Sequence, residues 1–155
     1  MASAIPYREL LGDKRRGTVA DMELVNRYIA LWNEPDPDLR RRAIEDLWTA
    51  DGLHILQPPQ EIRDIASKLG FPSTTLEAQG YAALEFRVTQ AYDEFIAPGQ
   101  YGFRLREGSA IRLRDVVKLE WEMFTHSGGE AVGGGVEVLM LDENDRITSD
   151  YQFPS

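Results

Sequence analysis

The chain has 155 residues, no cysteine, and 26 acidic against 17 basic side chains, for a formal charge of −9. That length suits one domain with a single continuous core, and 43% hydrophobic with 28% charged residues is a globular composition. The acid excess opposes nucleic-acid binding, no apolar run nears the roughly 20 residues of a membrane span, and the absence of thiols removes disulfides, thiol catalysis and thiolate metal sites together.

Met1 to Gly12 lacks the basic-then-apolar pattern of an export signal, so a cytoplasmic address is expected. Residues 1–17 read as an N-terminal arm, and 18–155 as the domain. The arm's basic patch, Lys14, Arg15 and Arg16, lies between Gly12 and Gly17 and suits a solvated tail. From Thr18, a candidate cap, Met22, Val25, Tyr28, Ile29 and Trp32 recur at helical spacing. Asn33-Glu34-Pro35 ends that helix. Asp36 then caps a second, with Pro37 in its first turn. Leu39, Ala43, Ile44, Leu47 and Trp48 give the second helix a buried face, with Arg40, Arg41 and Arg42 on the wet side.

Asp51-Gly52 reads as a turn and Leu53 to Gln57 as a short strand ended by Pro58-Pro59. A helix over 60–69 aligns Ile62, Ile65, Ala66 and Leu69, with Gly70 as its stop. Residues 71–80 read as irregular. A further helix, 81–96, aligns Leu84, Val88, Ala91, Tyr92 and Phe95. Period two then takes over. Strands are expected at 101–105, over 111–124, at 131–141 and at 146–153, the last three joined by hairpins at Ser127-Gly128-Gly129 and 142–145. Gly133-Gly134-Gly135 inside a strand implies a bend of the sheet or room for a ligand. Helices followed by hairpin-linked strands predict an α+β fold, with helices on one face of a curved antiparallel sheet.

Asn26 to Asn33, Leu47-Trp48-Thr49-Ala50-Asp51-Gly52, Gly80 to Leu84 and Asp145-Arg146-Ile147 together resemble the NTF2-like superfamily, in its SnoaL-like branch of polyketide cyclase and ketosteroid isomerase relatives. The resemblance runs from Thr18 to Phe153. It implies a cone-shaped cystatin-like barrel with an apolar cavity in its mouth, and a homodimer through the outer sheet face. It does not imply one activity, because this fold hosts isomerases, cyclases, hydrolases and non-catalytic binders.

Ketosteroid isomerases of this shape pair a carboxylate base with a tyrosine and a neutral acid that hold the enolate oxygen. By resemblance, Tyr28 takes the tyrosine position, Glu137 the neutral acid and Gln57 the base. An amide cannot accept that proton, which argues against steroid isomerase chemistry. Tyr28 reads equally as a core residue, and Glu137 faces either inward or outward. His54 and Asp150 are the remaining candidates for a base. His126, beside a glycine turn, is expected at the surface. The two histidines show no metal-ligand spacing, so no metal and no cofactor are expected. Trp32, Gln57, Phe86, Phe103 and Trp121 are candidates to line a pocket for a small apolar molecule, and the long 58–80 connection could cover its mouth. The alternative is a non-catalytic dimeric binding or scaffold module.

Overall fold

The computed structural model describes residues 19–71 and 74–155. The expected Thr18 cap and the Lys14–Arg16 patch lie outside them. Helix α1 (Val19–Asn33) buries Leu24, Val25, Tyr28 and Leu31, each no more than 3% exposed, as one stripe of a 3.6-residue repeat requires. Its last residue is also a tie. The Asn33 amide donates to the Phe103 carbonyl and accepts from the Phe103 N–H, both at 2.8 Å.

Helix α2 (Pro37–Leu47) starts at the expected cap, with Asp36 accepting from the Asp38 N–H at 2.9 Å. Its inner face differs from the expected one. Arg40 is buried beside Ile44 and Leu47, whereas Leu39 is exposed. The Arg40 guanidinium sits 4.6 Å from the centre of the Tyr92 ring, a face that accepts a cation without a carboxylate. Arg41 does lie on the wet side and pairs with Glu85 at 3.1 Å.

Trp48 opens strand β1 (Trp48–Leu56) instead of closing α2. Asp51-Gly52 is therefore no turn but part of a bulge. Trp48 pairs with Ile147 and Leu53 with Ser149, so four residues of β1 stand opposite one of its neighbour. Helix α3 (Gln60–Lys68) forms where expected, yet none of its residues is buried and Ile65 is 59% exposed. Amphipathic spacing decides which side chains share a face, not whether anything covers it. Strand β2 (Leu76–Gln79) lies within the stretch expected to be irregular; four residues are too few to show a period.

Helix α4 (Tyr81–Ala91) buries Leu84 and Val88 and widens into a π turn over Tyr92–Ile96. Strand β3 (Tyr101–Leu105) follows. The strand expected over 111–124 is two, β4 (Ile111–Leu113) and β5 (Val116–Thr125), folded onto each other about Arg114, whose φ is 55°. Strands β6 (Ala131–Leu141) and β7 (Ile147–Pro154) complete a seven-stranded, curved, unclosed sheet in the order β2-β1-β7-β6-β5-β3, with β4 also on β5. Every pairing is antiparallel except β1 with β7, which is parallel. The fold is α+β. The inward side chains of Leu119, Leu139 and Ile147 pack with those of α1, α2 and α4 into one core. No helix among the described residues is long and apolar enough to cross a membrane.

Candidate active site

Strand phase sets the site. Leu56, Gln152, Glu137 and Leu119 stand side by side across β1, β7, β6 and β5, and the adjacent row is His54, Asp150, Leu139 and Val117. Both rows point to the helical side, beneath Tyr28 of α1. His54, Glu137 and Asp150 are each no more than 1% exposed, and Tyr28 is equally buried.

The Tyr28 hydroxyl links the two acids, lying 2.5 Å from Asp150 Oδ2 and 3.0 Å from Glu137 Oε2. Trp121 Nε1 donates to the other Glu137 oxygen at 3.0 Å. Burial, and then the charge of Asp150, push the Glu137 carboxyl well above the usual carboxylate range, so it holds its proton. Burial and the same two acids raise the phenol well above its ordinary value. One phenolic proton cannot serve two carboxylates. The proton kept on Glu137 is the second one that the trio requires.

His54 is tied from the opposite side. Arg87 Nη1 lies 2.8 Å from His54 Nδ1, and 3.0 Å from both the His54 and Leu76 carbonyls. Burial first, with Arg87 adding to it against the opposing pull of Asp150, lowers the imidazole below its ordinary value. The ring is neutral. Its Nε2 lies 3.9 Å from Asp150 Oδ2, beyond hydrogen-bond reach, with the Gln152 side chain also beside the ring, and Asp150 Oδ1 has no hydrogen-bond partner among the described residues.

A cavity of about 450 Å³ opens above this floor. Trp32, Phe95, Phe103 and Trp121 supply aromatic walls, while Tyr28, Glu137 and Gln152 present polar groups. His54 and Asp150 lie beneath the lining and do not join it. Gly133 and Gly134 contribute bare backbone to the wall, and the β5–β6 register slips between Met123 and Phe124. The triple glycine thus serves a bend and an opening at once.

The structure brings Tyr28, His54, Glu137 and Asp150 together and puts Trp32, Phe103 and Trp121 around the cavity. Two candidates lie elsewhere. Gln57 follows the last residue of β1, where alternation gives the inward positions to His54 and Leu56; its N–H bonds the Gln152 carbonyl at 3.0 Å. Phe86 is 67% exposed, because two residues on from buried Leu84 a helix has turned by about 200°. His126 is exposed. Gln152 and Arg87 were not among the sequence candidates. Alternation from Asp150 would have found Gln152, but no local pattern marks Arg87.

His54, Glu137 and Asp150 offer donor atoms within 4.8 Å of one another, as a metal centre would. The donor chemistry does not fit one. A cation needs the Nε2 lone pair, but guanidinium donors facing Nδ1 leave the ring proton on Nε2.

No protein-family model matches the sequence, and no curated protein matches it. Solved structures do match the fold. A SnoaL-like family protein from Agrobacterium tumefaciens strain C58, with a provisional isomerase assignment, superposes with a TM-score of 0.68 at 20% identity over 87% of this chain and 97% of its own. A SnoaL-like protein of unknown function from Burkholderia thailandensis E264 gives 0.60 at 18% identity, over 89% and 98%. A SnoaL-like protein from Jannaschia sp. CCS1, provisionally a polyketide cyclase, gives 0.60 at 11% over 87% and 85%. The chain therefore has the NTF2-like fold, in the form seen in SnoaL-like proteins.

Proposed function

We propose that this protein binds a small, largely apolar molecule bearing a carbonyl or hydroxyl oxygen, and that Glu137 and Tyr28 receive that oxygen at the cavity floor. The observation that carries the reading is Glu137, a buried carboxyl held neutral between a phenol and an indole at the base of an aromatic-walled cavity. A neutral acid there can turn the hydrogen bond it gives Asp150 toward a ligand oxygen without the cost of desolvating a charge. The floor lies beside a second acid, so an anionic ligand is disfavoured.

Binding is favoured over turnover by the lining itself. His54 and Asp150 are sealed beneath Tyr28 and Glu137, and Gln57 lies outside the cavity. The catalytic reading, an isomerase, cyclase or hydrolase without a cofactor, draws on the SnoaL-like neighbours and on the linked acids. In it Asp150 draws a proton through Tyr28 while Glu137 donates one. A homodimer through the outer sheet face belongs to the same proposal, supported by the exposed Tyr151 and Phe153.

Trp32 and Trp121 make the cavity its own reporter. Titration with 2-naphthol or 1-tetralone should change tryptophan fluorescence saturably, and Glu137→Leu and Tyr28→Phe should each weaken binding at least tenfold while the fold persists. Unchanged affinity in both folded variants overturns the assignment.

A further inference from the structure

We infer that Arg87 is a positioning residue that holds His54 in its Nε2–H tautomer, making the imidazole a donor toward Asp150 and removing it as a proton acceptor of the site. A guanidinium carries five N–H donors and no acceptor. A nitrogen 2.8 Å from one of them, as His54 Nδ1 is from Arg87 Nη1, has to offer its lone pair. The neutral ring then has only Nε2 on which to carry its proton. That nitrogen lies on the side of Asp150, 3.9 Å from its Oδ2 and outside direct hydrogen-bond reach, with the Gln152 side chain beside it.

Two further contacts keep the arrangement from drifting. The same Arg87 amino group lies 3.0 Å from the carbonyls of His54 and Leu76, which belong to paired strands β1 and β2. Trp32 closes the other side of the ring, its centroid 5.6 Å from that of the imidazole. Arg87 thus meets the Nδ1 edge of the imidazole while Trp32 packs against the ring.

The inference rests on the same cluster as the binding proposal and gives its members distinct parts. His54 supplies an N–H, Asp150 is left as the acceptor, and Glu137 retains its own proton. Arg87 touches neither the cavity nor a ligand and acts only through His54.

Nitrogen-15 correlation spectra of the full chain test this directly, since there are only two histidines and His126→Gln assigns the signals. The parent should show His54 as a single Nε2–H tautomer near neutral pH. Arg87→Met should convert it to a mixture or to the Nδ1–H form, and Arg87→Lys, which restores a donor cation, should recover at least part of the parent signal. A role confined to pinning β1 to β2 would leave the tautomer unmoved in the methionine variant. An Nδ1–H ring in the parent overturns the inference even if no variant folds, as does an unshifted tautomer in a folded Arg87→Met. Ligand titration is not involved, so failure of the binding proposal leaves this result standing.

Discussion

Trp121 stands opposite Gly135 in the β5–β6 ladder, and its indole occupies the space a side chain at 135 would need. A Cβ there would lie 2.6 Å from Trp121 Cζ2 and 2.8 Å from the Phe153 carbonyl oxygen. The bare backbone allows the ring to lean along the sheet, and its Nε1 reaches Glu137 two residues on. Gly135→Ala should therefore cost about 1–3 kcal/mol, the usual range for an overpacked site, and should displace the indole from Glu137. Chemical denaturation with a red- or blue-shifted tryptophan emission checks both parts. A stability within about 0.5 kcal/mol of the parent, below that overpacking range, with unaltered emission would refute the packing account.

Glu137 makes its own pH signature. Its folded value lies above the ordinary 4.5, so the native state holds the proton more tightly than the unfolded chain does. The resulting stabilisation is complete below the ordinary value and is lost as pH rises through the folded one. Glu137→Gln cannot ionise and can still accept from Trp121. The parent should lose stability relative to this variant as pH rises above about 4.5, by at most about 1.4 kcal/mol per pH unit. Denaturation series at several pH values decide it; parallel curves count against a buried neutral acid.

Helix positions and the apolar face of β5 were legible because periodicity is a local property. Tyr28 sits on a clear helical stripe, but Glu137 lies between Val136 and Val138, so alternation alone leaves its facing open, and the pairing of β1 with β7 sets the facing of His54 and Asp150. The errors fall where a decision belongs to tertiary contact. Arg40 turns inward because Tyr92, more than fifty residues away, offers it a ring face. Gln57 drops out because pairing with β7 turns His54 and Leu56 inward and so gives Gln57 the opposite phase, and Phe86 because only one helical face packs. The bulge at Asp51-Gly52 has the composition of a turn, and its place inside β1 depends on the pairing of Trp48 with Ile147. Arg87 has no marker in the sequence; its partners are on β1 and β2.

His54 predicts the opposite slope to Glu137. Its folded value lies below the ordinary 6.5, so its contribution is present above 6.5 and is lost as pH falls through the folded value. Between pH 7 and pH 5 the parent should lose stability relative to His54→Asn, again by no more than about 1.4 kcal/mol per unit. The comparison is made as a difference between the two proteins, which cancels the titration of groups common to both. A difference that is constant across the range would mean that the imidazole is not held neutral.

The outer sheet face carries the proposal of a second copy. Tyr151 is flanked by Ile55 on β1 and Val138 on β6, its register partners in the two neighbouring strands. Two residues further along β7, Phe153 pairs with Val136. Alternation points all five away from the helices, and Tyr151 and Phe153 are 38% and 44% exposed. A contiguous apolar strip of this kind is an unusual surface for a monomer to leave in water. An isologous dimer would bury each strip against its twin. Val138→Lys would then set two cations at the centre of the contact. Sedimentation equilibrium should give twice the 17.6 kDa chain mass for the parent and about one chain mass for the variant. The cavity faces the opposite side of the sheet, so 2-naphthol binding should survive that change. A parent that sediments as a monomer at high protein concentration rules the dimer out.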